Sequence, residues 1–314
     1  MNKKPLKEYQ DGEHFSGLLL VSNSAKCVSN TGKAYLNLEL RDSSCSINAK
    51  KWDLTSEDEK MFVAGNVLDI SGEINAYRGT LQLKVVLASY PATPVDPSIF
   101  ARPCPVSKDE LLESFNHYRS QIKDTDLRQI VDYIINKRRD LYFDAPGGIS
   151  IHHDYSSGLL HHTVSMLQHA EYFANFYPDI DKELLYAAII LHDVDKTMEI
   201  EGSLTYKRTV EGNLLGHLAM GVTEVQEAKA MLGLESETIV LLEHMILSHH
   251  GKPEFGSPVL PMTKEAILLH LIDNLDCDMN LLGKITDNLK EGEFSEKIFA
   301  LDGRQIYKPH KRGK

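Results

Sequence analysis

Residues 181–196 read DKELLYAAIILHDVDK, and this stretch decides the fold of the larger part of the chain. Leu185, Ala188, Ile189 and His192 recur at i, i+3, i+4 and i+7, and Tyr186, Ile189, Ile190 and Asp193 form the adjacent stripe. The spacing predicts one helix that turns both His192 and Asp193 toward a core. A buried carboxylate is costly unless a partner or a cation compensates it, so these two side chains call for company. Taken singly, an inward histidine is more often a hydrogen-bonded core residue than a ligand. Here the pair is followed by Lys196 and joined by His162, His217, His249, His250 and Asp273 on other helical stretches. Leu242, Met245, Ile246 and His249 share one face, and Asp273 closes the apolar run AILLHLID. Eleven of the fourteen histidines fall between His152 and His270. Imidazole nitrogens mixed with carboxylate oxygens, without thiolate, suit six-coordinate centres of the Mn, Fe or Mg kind better than a closed structural zinc site.

Outward from this stretch the helical period continues on both sides. It runs from Ser107 through KDELLESFNHYRSQI, DLRQIVDYIINKRRDLYF and SGLLHHTVSMLQHAEYFANF, and beyond through NLLGHLAMGVTEVQEAKAML, ESETIVLLEHMILSHH and KEAILLHLIDNLDCDMNLLGKI. Upstream the period changes to two. FSGLLLVSN, AYLNLELRD, CSINAKKWD, NVLDISGEINAY and TLQLKVVLA alternate apolar and polar residues between turn signals, which is a five-strand pattern. DLTSEDEKMFVAG, between the third and fourth strands, lies where a small Greek-key barrel of the OB type carries its helix. Tyr90–Val106 holds five of the twelve prolines, which supply no amide to a ladder or helix interior. The expected organisation is therefore an OB-type β-barrel over 1–92, a Pro-rich linker over 93–106 and an all-α domain over 107–314.

Composition excludes several classes. With 42% hydrophobic and 25% charged residues the chain is an ordinary globular one. No run approaches a membrane span and the start, MNKKPLKEYQDGEHF, lacks an apolar signal core, so a cytoplasmic protein is expected. Cys27, Cys45, Cys104 and Cys277 are scattered without a CxxC pair and fit reduced thiols. The formal charge of −11 argues against a general nucleic-acid coat protein. The excess acid is nevertheless confined to residues 93–314, since residues 1–92 hold eleven Lys/Arg and eleven Asp/Glu. OB surfaces bind single strands by stacking bases on aromatics beside basic residues, so Tyr35, Lys50, Trp52, Tyr77 and Arg78 are the candidate nucleic-acid-binding residues.

The order His162, HDVDK at 192–196, GHLAMG around His217, SHHG at 248–251 and HLIDNLD around Asp273 resembles the HD phosphohydrolase superfamily. With GKAYLNLELRDSSCSINAKKWD in front and FALDGRQIYKP behind, the chain resembles end to end the YhaM-type 3′–5′ exoribonucleases of Gram-positive bacteria. The resemblance implies that His162, His192, Asp193 and Asp273 hold one divalent ion, Mn2+ with Mg2+ or Fe2+ as alternatives. It further implies that Asp193 bridges to a second ion held by His217, His249 and His250, and that Lys196 sits near the scissile phosphate. The implied products are nucleoside 5′-monophosphates, released from the 3′ end of single-stranded RNA or DNA with no membrane involved; a homo-oligomer is a further expectation.

Two positions depart from the pattern. Asp195 stands where the HDxGK motif has glycine; aspartate is among the few residues that tolerate the positive φ glycine often adopts near a helix end, and its charge is expected to disfavour phosphate near the ions. The loop PGGISIHHD at 146–154 lacks the expected lysine and leaves His152 and His153 as its candidate substrate residues. A phosphohydrolase of a free or cyclic nucleotide, and a binding protein with a degenerate site, are the competing readings.

Overall fold

The computed structural model describes residues 4–77, 80–100, 102–148, 155–202, 206–287 and 289–311. It divides into two compact units, Met1–Pro103 with Gly202–Lys207, and Cys104–Glu201 with Arg208–Lys314. Within the proline-rich stretch, Pro97–Phe100 forms a 3₁₀ turn, and Phe100 is buried.

The first unit is a closed five-stranded barrel, β1 (His14–Val28), β2 (Ala34–Arg41), β3 (Ser46–Trp52), β4 (Val67–Tyr77) and β5 (Thr80–Ser89), in the order β1-β2-β3-β5-β4. A short helix, α1 (Asp58–Met61), occupies the expected place between β3 and β4. Period-two alternation builds the interior. Leu36, Leu38 and Leu40 of β2 face Ala49 of β3, Ile70 and Ile74 of β4 and Leu83 of β5 across one apolar core. β1 is longer than its alternating pattern suggests because it serves two partners. Its first half pairs antiparallel with β4, and from Leu20 onward, across a bulge between Val21 and Asn23, it pairs with β2. A parallel ladder between β3 and β5 closes the barrel. This is the OB-type barrel expected from the sequence.

The second unit is helical: α2 (Lys108–Gln121), α3 (Thr125–Tyr142), α4 (Gly158–Phe176), α5 (Lys182–Leu191), α6 (Lys196–Glu199), α7 (Val210–Leu214), α8 (Gly216–Leu232), α9 (Glu237–Ser248) and α10 (Lys264–Asp287). Ser107 and Glu110 form a capping box on α2, and the Asp181 carboxylate accepts from the Glu183 and Leu184 amides to start α5. Every residue from Leu184 to Leu191 is buried, so α5 is the central rod against which α2, α3, α4, α9 and α10 pack. No described helix is long and apolar enough to cross a membrane.

Three local expectations are corrected. α5 stops at Leu191, and His192–Asp195 form a turn, so the inward direction of His192 and Asp193 is set at the helix end rather than along it. The stretch 213–232 is two helices, broken where Gly216 takes φ +71, which places His217 in the first turn of α8. Asp195 has φ −80 and ψ −1, an ordinary right-handed conformation, so the position makes no demand for glycine.

Candidate metal centre

The seven sequence-nominated donors of the helical unit come together from five segments: His162 from α4, His192 and Asp193 from the turn after α5, His217 from α8, His249 and His250 from the end of α9, and Asp273 from α10. Their ligand-capable atoms form overlapping groups, His162/His192/Asp193, His192/His249/Asp273 and His217/His249/His250, each lying within 4.8 Å.

The Asp193 carboxylate lies among these groups, with Oδ2 on the side of His162 and His192 and Oδ1 on the side of His217 and His249. Its Oδ2 lies 3.2 Å from His192 Nε2, 3.8 Å from His162 Nε2 and 2.6 Å from Lys196 Nζ. Its Oδ1 lies 3.4 Å from His217 Nε2 and 3.7 Å from His249 Nε2. Asp273 Oδ1 is 3.3 Å from His162 Nε2, and His250 Nε2 is 3.3 Å from His217 Nε2.

Each imidazole is fixed from behind. His192 Nδ1 donates to the Ile189 carbonyl at 2.8 Å, His249 Nδ1 to Ile246 at 2.7 Å and His250 Nδ1 to Phe255 at 2.8 Å. His162 Nδ1 donates to Asp276 at 2.7 Å and His217 Nδ1 to Glu199 at 2.8 Å. A carbonyl can only accept, so in His192, His249 and His250 Nδ1 carries the proton and Nε2 points inward, the arrangement of metal-ligating histidines; the carboxylates behind His162 and His217 orient those rings the same way. Among the described residues, the buried His192 Nε2 and Asp193 Oδ1 make no aligned hydrogen bond, although both lie within ion-pair reach. Ligand atoms about 2.1 Å from one ion are about 3.0 to 3.4 Å apart in octahedral or tetrahedral geometry, close to the shorter separations here. The donor set therefore fits divalent metal ions.

Charge supports the same reading. Burial pushes the Asp193 carboxyl up, but Lys196 and His192 outweigh it and hold the group well below the usual carboxylate range; His162 does the same for Asp273. Both are ionised and ready to ligate. Burial lowers the His249 imidazole, and burial with the neighbouring His249 lowers His250 to about 4. The cluster is not sealed, because the Asp273 side chain keeps 14% of its exposure and His250 is only half-buried.

Lys196 is bound to Asp193 and also donates to the Gly147 carbonyl at 3.1 Å. Asp195 turns away from the donor groups, toward Arg138 Nη2 at 3.8 Å and the Glu224 neighbourhood. His152 and His153 lie outside the described residues, as does Arg78. Sequence reasoning missed the outer partners Asp276, Glu199 and Ser165, the last of which donates to Asp276. It also missed Cys277, whose thiol donates to Asp273 Oδ1 at 3.4 Å. Asp276 was findable, since it lies one turn beyond Asp273 on α10.

A tight aromatic and basic cluster marks the barrel. Tyr35 and Trp52, cross-strand partners, stack at 4.5 Å with 25° between their planes. Lys50 Nζ lies 5.5 Å from the Tyr35 ring and 5.6 Å from that of Tyr77, which is 53% exposed. Trp52 is thus half-buried beside Tyr35 rather than packed in the core.

The HD-domain family model matches residues 159–278, a span containing all seven donors. Similar solved structures cover a smaller share of the chain. The second OB-fold domain of replication protein A from Methanococcus maripaludis is 14% identical, with 30% of this chain and 98% of that one covered at a TM-score of 0.24. The protein priB from Ralstonia solanacearum is 15% identical, with 26% and 99% covered at 0.21. A mitochondrial single-stranded DNA binding protein from S. cerevisiae, Rim1, is 14% identical, with 26% and 94% covered at 0.20. The chain thus joins an OB-type barrel, recognised by its strand order, to a helical HD domain whose buried histidines and aspartates suit divalent metal.

Proposed function

We propose that this protein is a metal-dependent 3′–5′ exonuclease that shortens single-stranded RNA, and single-stranded DNA where it is offered, to nucleoside 5′-monophosphates. The observation that carries the reading is the Asp193 carboxylate, set between two groups of inward Nε2 atoms whose Nδ1 atoms are all tied back. His162, His192, Asp193 and Asp273 would hold one ion, and His217, His249 and His250, with Asp193 shared, a second. When bound, such ions supply Lewis acidity and an acidified water for attack on phosphorus. The protein's own contribution is to hold the donors rigid, keep Asp193 and Asp273 ionised and place the Lys196 ammonium where it offsets charge. On the barrel, Tyr35, Lys50, Trp52 and Tyr77 offer ring faces and an ammonium to consecutive nucleotides.

Incubation of the protein with Mn2+ and a 5′-labelled single-stranded RNA, beside a panel of free and cyclic nucleotides, tests this. A ladder shortening from the 3′ end, with 5′-monophosphates released, is expected. Losing a partner outside the ligand shell costs about 10- to 100-fold, so Asp193→Ala should lower the rate by more than about 100-fold while the protein stays folded. Hydrolysis of a free nucleotide alone would assign the site to small-molecule phosphohydrolysis. Retention of most activity by the variant would remove the metal assignment.

A further inference from the structure

Beyond the end of α9 the chain makes a short built turn whose side chains the catalytic reading does not use. Pro253–Phe255 forms a 3₁₀ turn, closed by the Phe255 amide on the Lys252 carbonyl at 3.0 Å, the Gly256 amide on Pro253 at 2.9 Å and the Ser257 amide on Lys252 at 3.2 Å. Its main chain is tied to the donor cluster, since the Phe255 carbonyl accepts from His250 Nδ1 at 2.8 Å and the same imidazole's Nε2 lies 3.3 Å from His217 Nε2. The Phe255 backbone therefore stands one imidazole ring away from the inward-facing nitrogens. Its ring is 58% exposed, and Lys252 Nζ lies 5.8 Å from the ring centroid. On the segment leading into His217, Leu214 and Leu215 are also exposed, at 78% and 62%.

An exposed phenyl ring costs apolar surface, and a lone one on a loop needs no explanation. This one is fixed by its own turn and hydrogen-bonded through its main chain to a proposed ligand. It also carries an ammonium beside its ring, the same pairing of ring face with lysine seen at Tyr35 and Lys50. A ring face accepts a nucleobase whatever its identity, and the ammonium matches the phosphate attached to it. We propose that Lys252 and Phe255 form the subsite for the terminal nucleotide, with the base on the Phe255 ring and phosphate against Lys252. This inference rests on the nuclease reading and names the group of that substrate which the site grips.

The hydrogen bond to His250 comes from the Phe255 main chain, so side-chain substitutions leave it in place. In a Trp52→Phe background of this chain, Phe255→Trp makes residue 255 its sole tryptophan, a direct reporter of stacking. Titration with adenosine 5′-monophosphate, without added metal, should quench its fluorescence saturably, while ribose 5-phosphate should not. In parallel, Phe255→Ala should lower kcat/KM on the RNA by about 5- to 100-fold, the range a single base stack supports, with Phe255→Tyr restoring it and Phe255→Leu not. Metal stoichiometry should be the same in all variants. Absence of quenching at millimolar nucleotide, equal quenching by ribose 5-phosphate, or rescue by leucine as well as tyrosine would each overturn the subsite. These failures are distinct from failure of the nuclease reading, in which the unsubstituted protein itself leaves RNA intact.

Discussion

His162 lies between two carboxylates, Asp276 at 2.7 Å from Nδ1 and Asp273 at 3.3 Å from Nε2. Burial pushes the imidazole down, but the two carboxylates prevail and raise it to about 9. At neutral pH and without metal it is therefore an imidazolium, and an ion can take Nε2 only by displacing its proton. The sign follows directly. Protons compete below pH 9, so apparent affinity at this half of the centre should rise by about tenfold per pH unit from 6.5 to 8.5. His249 and His250, lowered by burial, impose no such competition on the other half. Calorimetric titration with Mn2+ at pH 7, in buffers of different ionisation enthalpy, should show about one proton released at one of two binding steps. Binding independent of pH with no proton released would contradict a ligand role for His162. Gly251 shows how tightly this region is packed: it takes φ +79, and a Cβ there would come within 2.2 Å of the His270 ring, whose Nδ1 donates to the His249 carbonyl.

The turn His192–Asp195 is braced from outside by a charge network between α3 and α8, in which Glu224 is buried and Lys137 and Glu227 reach the surface. Arg138 Nη2 holds Glu224 at 2.7 Å, while Lys137 binds Glu224 at 3.0 Å and Glu227 at 2.8 Å. Asp195 joins this network only weakly, at 3.8 Å from Arg138, and among the described residues its buried Oδ2 has no hydrogen-bond partner. The ion pair with Arg138 favours the carboxylate, but burial first and Glu224 second outweigh it and raise the carboxyl to about 6. The native state then holds this proton more tightly than the unfolded chain, so stability falls as pH rises from about 4 through 6. Asp195→Asn should remove that penalty. Its Tm should match that of the unsubstituted protein below pH 4 and exceed it above pH 6, where its unfolding free energy should be larger by about 3 kcal/mol. An equal or lower Tm above pH 6 would show that the charge is compensated. At this scale the sequence is informative about which residues face inward, since a period of 3.6 fixes a face. It does not reveal that α5 ends before His192 or that Asp195 points to Arg138. Those depend on where a helix runs out of room, and on a partner 57 positions away in the sequence that no spacing rule connects.

Across the whole chain, the change of period from two to 3.6 is what makes the architecture legible, with the barrel strands and helices falling close to their expected positions. The uneven charge is equally legible: the barrel segment is balanced and carries the lysine and ring cluster, while the excess acid belongs to the helical segment. Residue type and order along the helical stretches single out the seven donors, with an inward face legible for His192, Asp193 and His249, and the fold brings them together. Glu199 has no pattern to mark it, because an outer partner is chosen by contact, whereas Asp276 is legible one turn beyond Asp273 on α10. The central claim is that Asp193 joins two ion sites, and anomalous diffraction at the manganese edge from crystals grown with Mn2+ tests it most directly. The account predicts two peaks sharing the Asp193 carboxylate, one also bound by His162, His192 and Asp273 and the other by His217, His249 and His250. A single manganese peak at Asp193, or none in its coordination sphere, would contradict it.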